Sequence, residues 1–409
     1  MEPKDIFNRI DGSREDIIRD VSKLVSIPGI GPANDGTGES ERADWIEGYL
    51  RDLDFFDSVE RMDVQDEDVL RSNVIALKKG KKKGTVWLIA HMDTVHPGDP
   101  LLWNHPPFEA FVEGDKIYGL GSEDNGQGLI AALYSVRFIG DVELQGYSIG
   151  LAFVADEETG SNYGVIHLLD KGVFSKDDFI LVPDWGSPNG EFIDISEKNI
   201  LWLKITIEGI QVHGSTPDKG LNAYRIGARF LTDLIDGLYE RYNDKDPIFR
   251  PTGSTFEPTR RSVTTDNINV IPGRDEFWMD CRILPGYDLE DIISYVKDVA
   301  EERSKRTGAK ISVDVVQRLA SGPSSSTGTY EYDSLKRSIS EITGRMVKEA
   351  GIGGGTCANF FRKKGINAYA WSSEGDSLHK PNEYVLISNI MTDAKVFFRL
   401  FNELCINNH

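Results

Sequence analysis

Three apolar runs that stop abruptly at acids or an imidazole constrain this chain more than anything else in it. VWLIA stops at His91-Met92-Asp93, GLAFVA at Asp156-Glu157-Glu158, and FILVP at Asp184. Such runs, without alternation, fit strands buried on both faces, as in parallel sheets covered by helices. Ligand sites of open α/β sheets lie beyond the carboxyl ends of these strands. A fourth acid, Asp124, stands in GLGSEDNGQG just before an apolar helical pattern. Gathering that many carboxylates is prohibitively costly unless a cation neutralises them. A His with several Asp or Glu suits zinc, cobalt or manganese better than it suits calcium or a thiolate-preferring metal.

Taken singly, each piece has an ordinary explanation. Turns after strands are rich in Asp, Glu157-Glu158 alone reads as a solvated helix start with Asp156 as its N-cap, and Asp184 alone as a turn residue. Alternation along a strand puts His91 and Asp93 on one side, where Asp93 can hold the imidazole's other nitrogen. Three acidic strand ends in one sheet make the ordinary explanations the weaker ones. Among the seven histidines, His167 lies in an apolar helical stretch and reads as structural. His96 and His105 sit in Pro-rich loops, and His409 is terminal. On pattern alone, His379 in SSEGDSLHKPNEY is as readily a turn residue as a ligand.

From residue 85 to 184, apolar runs alternate with helical patterns such as Gln127–Ile139, which predicts an α/β sheet with parallel strands. Asn73–Leu77 and Thr85–Ala90 read as a strand pair around the tip KKGKKKG (78–84), a solvated hairpin end and not an anion site. The pattern changes near residue 199. A strand over 200–207, a helix over 221–242, strands over 262–270 and 276–284, a helix over 289–304 and a strand over 310–316 follow the β-α-β-β-α-β order of a ferredoxin-like unit. ASGPSSSTGT (320–329) reads as a linker. The expected organisation is a discontinuous α/β domain, 1–198 and 318–409, interrupted by an α+β insert, 199–317.

At 409 residues the chain has room for two or three domains. Lys and Arg number 46 against 66 Asp and Glu, a formal charge of −20 that repels nucleic acid and anionic membranes alike. No run approaches the ~18 apolar residues of a spanning helix, and residues 1–15 lack the apolar core of a signal peptide. Cys281, Cys357 and Cys405 cannot make a disulfide framework, so the expected compartment is the reducing cytoplasm.

IAHMDTVHPGD, IYGLGSEDNGQGLIAAL, VADEETGSNYG and SLHKPNEY resemble the successive motifs of the M20 family of co-catalytic metallopeptidases and deacylases. IEGIQVHGSTPDKGLNA, NVIPGRDEFWMDCR and GIGGGT resemble its insert motifs, so the likeness spans nearly the whole chain in order. The resemblance implies a phosphorylase/hydrolase-like zinc-exopeptidase catalytic domain with a ferredoxin-like lid that dimerises. It also implies two divalent metals, zinc first, with cobalt or manganese as the other choices. His91 and Asp184 would bind one, Glu158 and His379 the other, with Asp124 bridging and the peptide bond after it cis. Asp93 would orient His91. Glu157 would be the general base that deprotonates the metal-bridging water and returns the proton to the leaving amine. His213 would reach the site of a second subunit in a homodimer and steady the oxyanion. Asn269, Arg282, Gly354 and Gly355 would hold the carboxylate and backbone of a small peptide or N-acyl-amino-acid substrate. Two places depart from the family's pattern. NGQGL opens the helix where many members read Met-Lys-Gly-Gly, and Lys198 in SEKN stands where several carry a substrate-binding arginine.

Gly119, Gly121, Gly126 and Gly128 precede a helix as in a phosphate loop, but they match neither GxGxxG nor GK[ST]. A non-catalytic binding relative should lack the base or a ligand, and here all are present. Exopeptidase and N-acyl-amino-acid deacylase both cleave an amide beside a carboxylate, and the sequence leans only slightly towards short peptides.

Overall fold

The computed structural model describes residues 2–262, 265 and 267–407. His409 lies outside the described residues, as do three positions of the strand expected over 262–270. The chain divides into two compact units: Met1–Ile195 with Ser324–Ala350 and Thr356–His409, and Ser196–Pro323 with Gly351–Gly355.

The first unit is built on an eight-stranded mixed sheet. Its strands lie in the order Ser58–Asp66, Val69–Lys78, Ser148–Val154, Thr85–His91, Phe179–Gly186, Ala368–Ser372, Phe192–Glu197, Lys348–Ile352. The three acid-ended strands are therefore immediate neighbours. Thr85–His91 runs parallel to Ser148–Val154, with His91 opposite Val154, and parallel to Phe179–Gly186 on its other side. Leu88, Ile89, Leu151, Ala152, Ile180 and Leu181 are fully buried, which is why these strands show no alternation. The helix Gly126–Val136 is buried along its whole length, and Ile387–Phe401 packs against it.

The expected hairpin across 78–84 does not form. Ser148–Val154 inserts between the two strands, antiparallel to Val69–Lys78 and parallel to Thr85–His91. Val69–Lys78 instead pairs as a hairpin with the preceding Ser58–Asp66. The lysines between the strands meet acids, Lys81 with Glu143 at 3.1 Å and Lys83 with Asp177 at 2.6 Å.

The second unit carries a four-stranded antiparallel sheet in the order Thr255–Ser262, Arg274–Ile283, Asn199–Glu208, Lys310–Leu319. The helices Ala223–Arg241 and Leu289–Thr307 share one core with it, the ferredoxin-like arrangement. Alternation sends Phe277, Met279, Cys281 and Ile283 into that core and leaves Trp278, Asp280 and Arg282 on the other face. The second strand lies at Thr255–Ser262, upstream of its expected place. TFEPTRRS is a largely exposed edge strand with a bulge between Pro258 and Arg260, so it carries no apolar signal. The apolar residues that suggested 262–270 behave otherwise: Ile268 is exposed, and Val270–Ile271 pairs with Val212–His213.

Candidate metal centre

In the first unit His91, Asp93, Glu157, Glu158 and Asp184 sit at or close to the ends of neighbouring strands, whereas Asp124 and His379 come from loops. The Asp93 carboxylate accepts the N–H of Glu157 at Oδ1 and that of Glu158 at Oδ2, both at 3.0 Å. One strand end thereby fixes the acidic turn that follows its neighbour. His91 Nδ1 lies 3.0 Å from the Asp93 carbonyl oxygen and 3.4 Å from its carboxylate, so the main chain does most of the orienting expected of the side chain. His91 Nε2 then faces Asp124 Oδ1 at 2.8 Å and Asp184 Oδ1 at 3.3 Å. His379, in the left-handed region at φ 56°, puts Nε2 at 2.9 Å from Asp124 Oδ2 and 3.1 Å from Glu158.

Two donor sets share one carboxylate. His91, Asp124 and Asp184 form the first, and Asp124, Glu158 and His379 the second, the donor atoms of each lying within 4.8 Å of one another. Ligands about 2.1 Å from a tetrahedral ion stand roughly 3.4 Å apart, so the separations seen here suit zinc-like ions without rebuilding the site. The chemistry of the donors, imidazole with carboxylate and no thiolate, fits the same metals.

The electrostatics call for cations. Burial, with Asp124 adding to it, pushes the Glu158 carboxyl up to about 7. Burial and the nearby Asp184 hold both Glu157 and Glu374 well above the ordinary carboxyl range. His379 is raised to about 11 by hydrogen bonds to Asp124 and Glu158. Burial works against a charge on His91, but Asp184, Asp124 and Asp93 outweigh it and hold its pKa high. Burial likewise opposes the charge on Asp124, and the two imidazoles overcome that, driving its pKa below the usual value.

The Asp124–Asn125 peptide is cis. The departure NGQG has a visible use: Asn125 Nδ2 donates to Pro183 O at 2.8 Å and to Asp184 Oδ1, tying the Asp124 loop to a second donor strand. Gln127 donates to the buried Asp393 at 2.7 Å. Gly128 packs so closely on this linkage that a Cβ there would meet Pro183 O at 2.4 Å. These glycines serve close packing, not a phosphate.

The expected substrate residues all lie in the second unit. His213 and Asn269 come together: His213 pairs with Val270, and Gly214 N–H donates to Asn269 O at 2.6 Å. His213 is exposed, and its Nδ1 is engaged by Ser215 Oγ at 2.7 Å. Arg282 is gripped by both oxygens of Asp280 at 2.7 and 2.9 Å and donates to Gly353 O at 2.9 Å, beside Gly354 and Gly355. Lys198 is buried and spends its ammonium on the carbonyls of Pro251 and Gly253, at 2.9 and 2.5 Å.

Sequence reasoning missed several residues around the cluster: Asn125, Glu123, Glu374, Glu383, and Arg42, which donates to Ile27 O and Met92 O. Only Glu374 gave a signal, as an acid in a stretch that starts from an apolar strand.

The sequence profile of peptidase family M20/M25/M40 matches residues 87–403. An uncharacterized metallohydrolase of Methanocaldococcus jannaschii is 35% identical over 406 residues, covering 94% of this chain and 98% of that protein. The succinyl-diaminopimelate desuccinylase of Methylococcus capsulatus is 26% identical over 341 residues, 80% of this chain and 85% of the other. Among solved structures, the aminopeptidase PepT of Bacillus cereus has the same fold, with a TM-score of 0.74 at 19% identity over 96% of this chain and 98% of that one.

Proposed function

Because the chain belongs to peptidase family M20/M25/M40 and is a hydrolytic enzyme, we propose that it is a dinuclear metallohydrolase cleaving the amide bond next to a free carboxylate in short peptides. The observation that carries this reading is the pair of donor sets joined at Asp124. His91 and Asp184 would hold one cation, Glu158 and His379 the other, and Asp124 would serve both. Zinc, or cobalt or manganese in its place, supplies the Lewis acidity that polarises the scissile carbonyl and eases ionisation of water.

The chain's own residues do the rest. Glu157, in neither donor set, takes the proton of the attacking water and passes it to the leaving amine. Asp93 holds that base in place through its N–H. Arg282, stiffened by Asp280, Asn269 and the Gly354-Gly355 turn hold the substrate's carboxylate and backbone. Lys198 keeps the 251–253 segment in place. The ferredoxin-like unit acts as lid and dimer contact, and His213 steadies the oxyanion in the site of a second copy. Light scattering should give a homodimer; a monomer at micromolar concentration would remove the His213 role. The three cysteines are free and buried, which suits a reducing compartment.

A second reading, N-acyl-amino-acid deacylase, is favoured by the likeness to a desuccinylase. The two are separated by following hydrolysis by mass spectrometry over dipeptides, tripeptides, N-acetyl- and N-succinyl-amino acids, with chelated and metal-restored protein. Metal-dependent cleavage confined to the peptides supports the first reading, and cleavage confined to the acyl-amino acids replaces it with the second. Silence across the panel from metal-loaded protein would contradict both.

A further inference from the structure

The two loops that carry Asp124 and His379 are distant in sequence, yet they are built as one piece. At their roots, Lys116–Tyr118 pairs antiparallel with Tyr384–Leu386, with Tyr118 opposite Tyr384, and Gly119 N–H continues the ladder to Glu383 O at 3.0 Å. Beyond that ladder two buried carboxylates cross over. Glu383, from the His379 loop, accepts the N–H groups of Glu123 at 2.8 Å and Asp124 at 3.0 Å on Oε1, and that of Gly121 at 3.0 Å on Oε2. Glu123, from the Asp124 loop, accepts Gly375 N–H at 2.7 Å on Oε1, and Ser377 N–H at 2.9 Å together with the Ser377 hydroxyl on Oε2.

Every oxygen of both carboxylates is thus spent on the opposite loop. The approach is close: a Cβ on Gly375 would lie 2.4 Å from Glu123 Oε1, so a side chain there would displace the carboxylate. Glu123 is 4% exposed and Glu383 1%. Two more buried acids beside an already acidic cluster cost stability on their own account, so their retention needs a return. What they hold is the main chain at the bridging carboxylate and the main chain leading to His379. Hydrogen bonds from backbone N–H to a carboxylate are the strong, charge-assisted kind, suited to fixing a loop that has no regular structure of its own.

We propose that Glu123 and Glu383 form a reciprocal clasp that positions Asp124 and His379 and so sets the affinity of the two metal positions. The clasp rests on the metal-centre reading above, and its two halves act differently. Glu383 grips the peptide of Asp124, which serves both positions. Glu123 grips only the 375–377 segment that leads to His379, so it serves the Asp124/Glu158/His379 position. Neither residue touches the reacting atoms; both act through the ligands they place.

The test is a zinc titration of chelated protein against a competing chelating dye. Zinc anomalous scattering from crystals at limiting zinc then assigns each step to a position. Partners that orient metal ligands are worth about 10–100-fold in affinity. Glu123→Gln, which swaps an acceptor for a donor, is expected to weaken the His379 position by about tenfold or more while the His91 position stays within about threefold. Glu383→Gln is expected to weaken both. Ser377→Ala removes one donor to Glu123 together with the hydroxyl's contacts to the Tyr384 main chain in the same loop, leaves the two backbone N–H bonds to Glu123, and should give a smaller loss at the His379 position alone. It keeps the idea testable if either Gln variant fails to fold. Equal loss at both positions in Glu123→Gln or in Ser377→Ala would mean general loosening and overturn the clasp, as would titrations identical to wild type. Wild-type protein that takes up fewer than two zinc ions would overturn the metal-centre reading itself; two ions in wild type with unaltered variants would overturn the clasp alone.

Discussion

Glu157→Gln is expected to bind metal as the wild type does and to lose turnover by roughly 10²–10⁴-fold, the usual worth of a positioned general base. Glu157 belongs to neither donor set, so a neutral side chain of the same shape leaves all five ligands in place. Its main chain is pinned by the Asp93 carboxylate, which the substitution does not touch. Burial and Asp184 keep the Glu157 carboxyl well above the usual range in the metal-free protein. Two cations nearby would draw it back down, leaving a carboxylate able to accept a proton near neutral pH. Glutamine can accept a hydrogen bond from water but cannot take its proton. Steady-state kcat and metal content on the same preparation decide the matter. Full turnover in the variant would remove Glu157 as the base, and loss of metal would make it a ligand.

Chelation is expected to lower the melting temperature, and to lower it more as the pH rises from about 5 to 8. In the metal-free protein Glu158 is raised to about 7 by burial and Asp124, and Glu383 to about 8 by burial with Asp124 beside it. A carboxyl whose folded pKa exceeds its unfolded one adds stability that is complete below the unfolded value, near 4.5. That stability is lost as pH rises through the folded value. His379, raised to about 11, acts in the same direction above its unfolded pKa. Asp124 has its pKa lowered and so acts the other way, but only as the pH falls below its ordinary 3.8, outside this window. Bound cations replace those protons and should flatten the profile. Calorimetric melting with and without chelator should separate by about 5 °C or more at pH 8 and by less at pH 5. Coincident curves at both pH values would contradict a buried cation site.

The parts of this architecture that could be read from sequence are those where burial and chemistry change at the same residue. Val86–Ala90 and Phe179–Val182 are apolar because both faces of their strands are covered, and the polar residues that follow had to serve the space beyond the sheet. The order of elements in the ferredoxin-like unit was visible for a similar reason, since Arg274–Ile283 alternates cleanly between core and open face. Its edge strand was misplaced because Thr255–Ser262 buries little and so has no pattern to show. The hairpin across 78–84 failed because Ser148–Val154, some seventy residues away, takes the place beside each strand. Local pattern does not contain such an insertion.

Within the site, His91, Glu158 and Asp184 were legible as strand ends, whereas His379 was left open on pattern alone and most of the supporting contacts were not visible. Asp93 looked like a clamp on His91; its two carboxylate bonds to the Glu157 and Glu158 amides depend on the parallel pairing that sets Thr85–His91 beside Ser148–Val154. Glu123 gave no signal because its partners, the Gly375 and Ser377 amides and the Ser377 hydroxyl, lie more than 250 residues along. Backbone amides leave no residue type to search for. Arg282 was read only as a substrate contact, and the Asp280 carboxylate that stiffens it, two residues earlier on the same face of its strand, was not read with it.

The central claim is that two cations share Asp124, and the most direct measurement is the number and position of metal ions in protein reconstituted with zinc. Zinc anomalous difference maps should show two peaks of comparable height, one among His91, Asp124 and Asp184 and one among Asp124, Glu158 and His379, with Glu157 approaching neither as a ligand. A single peak, or peaks away from Asp124, would contradict the account.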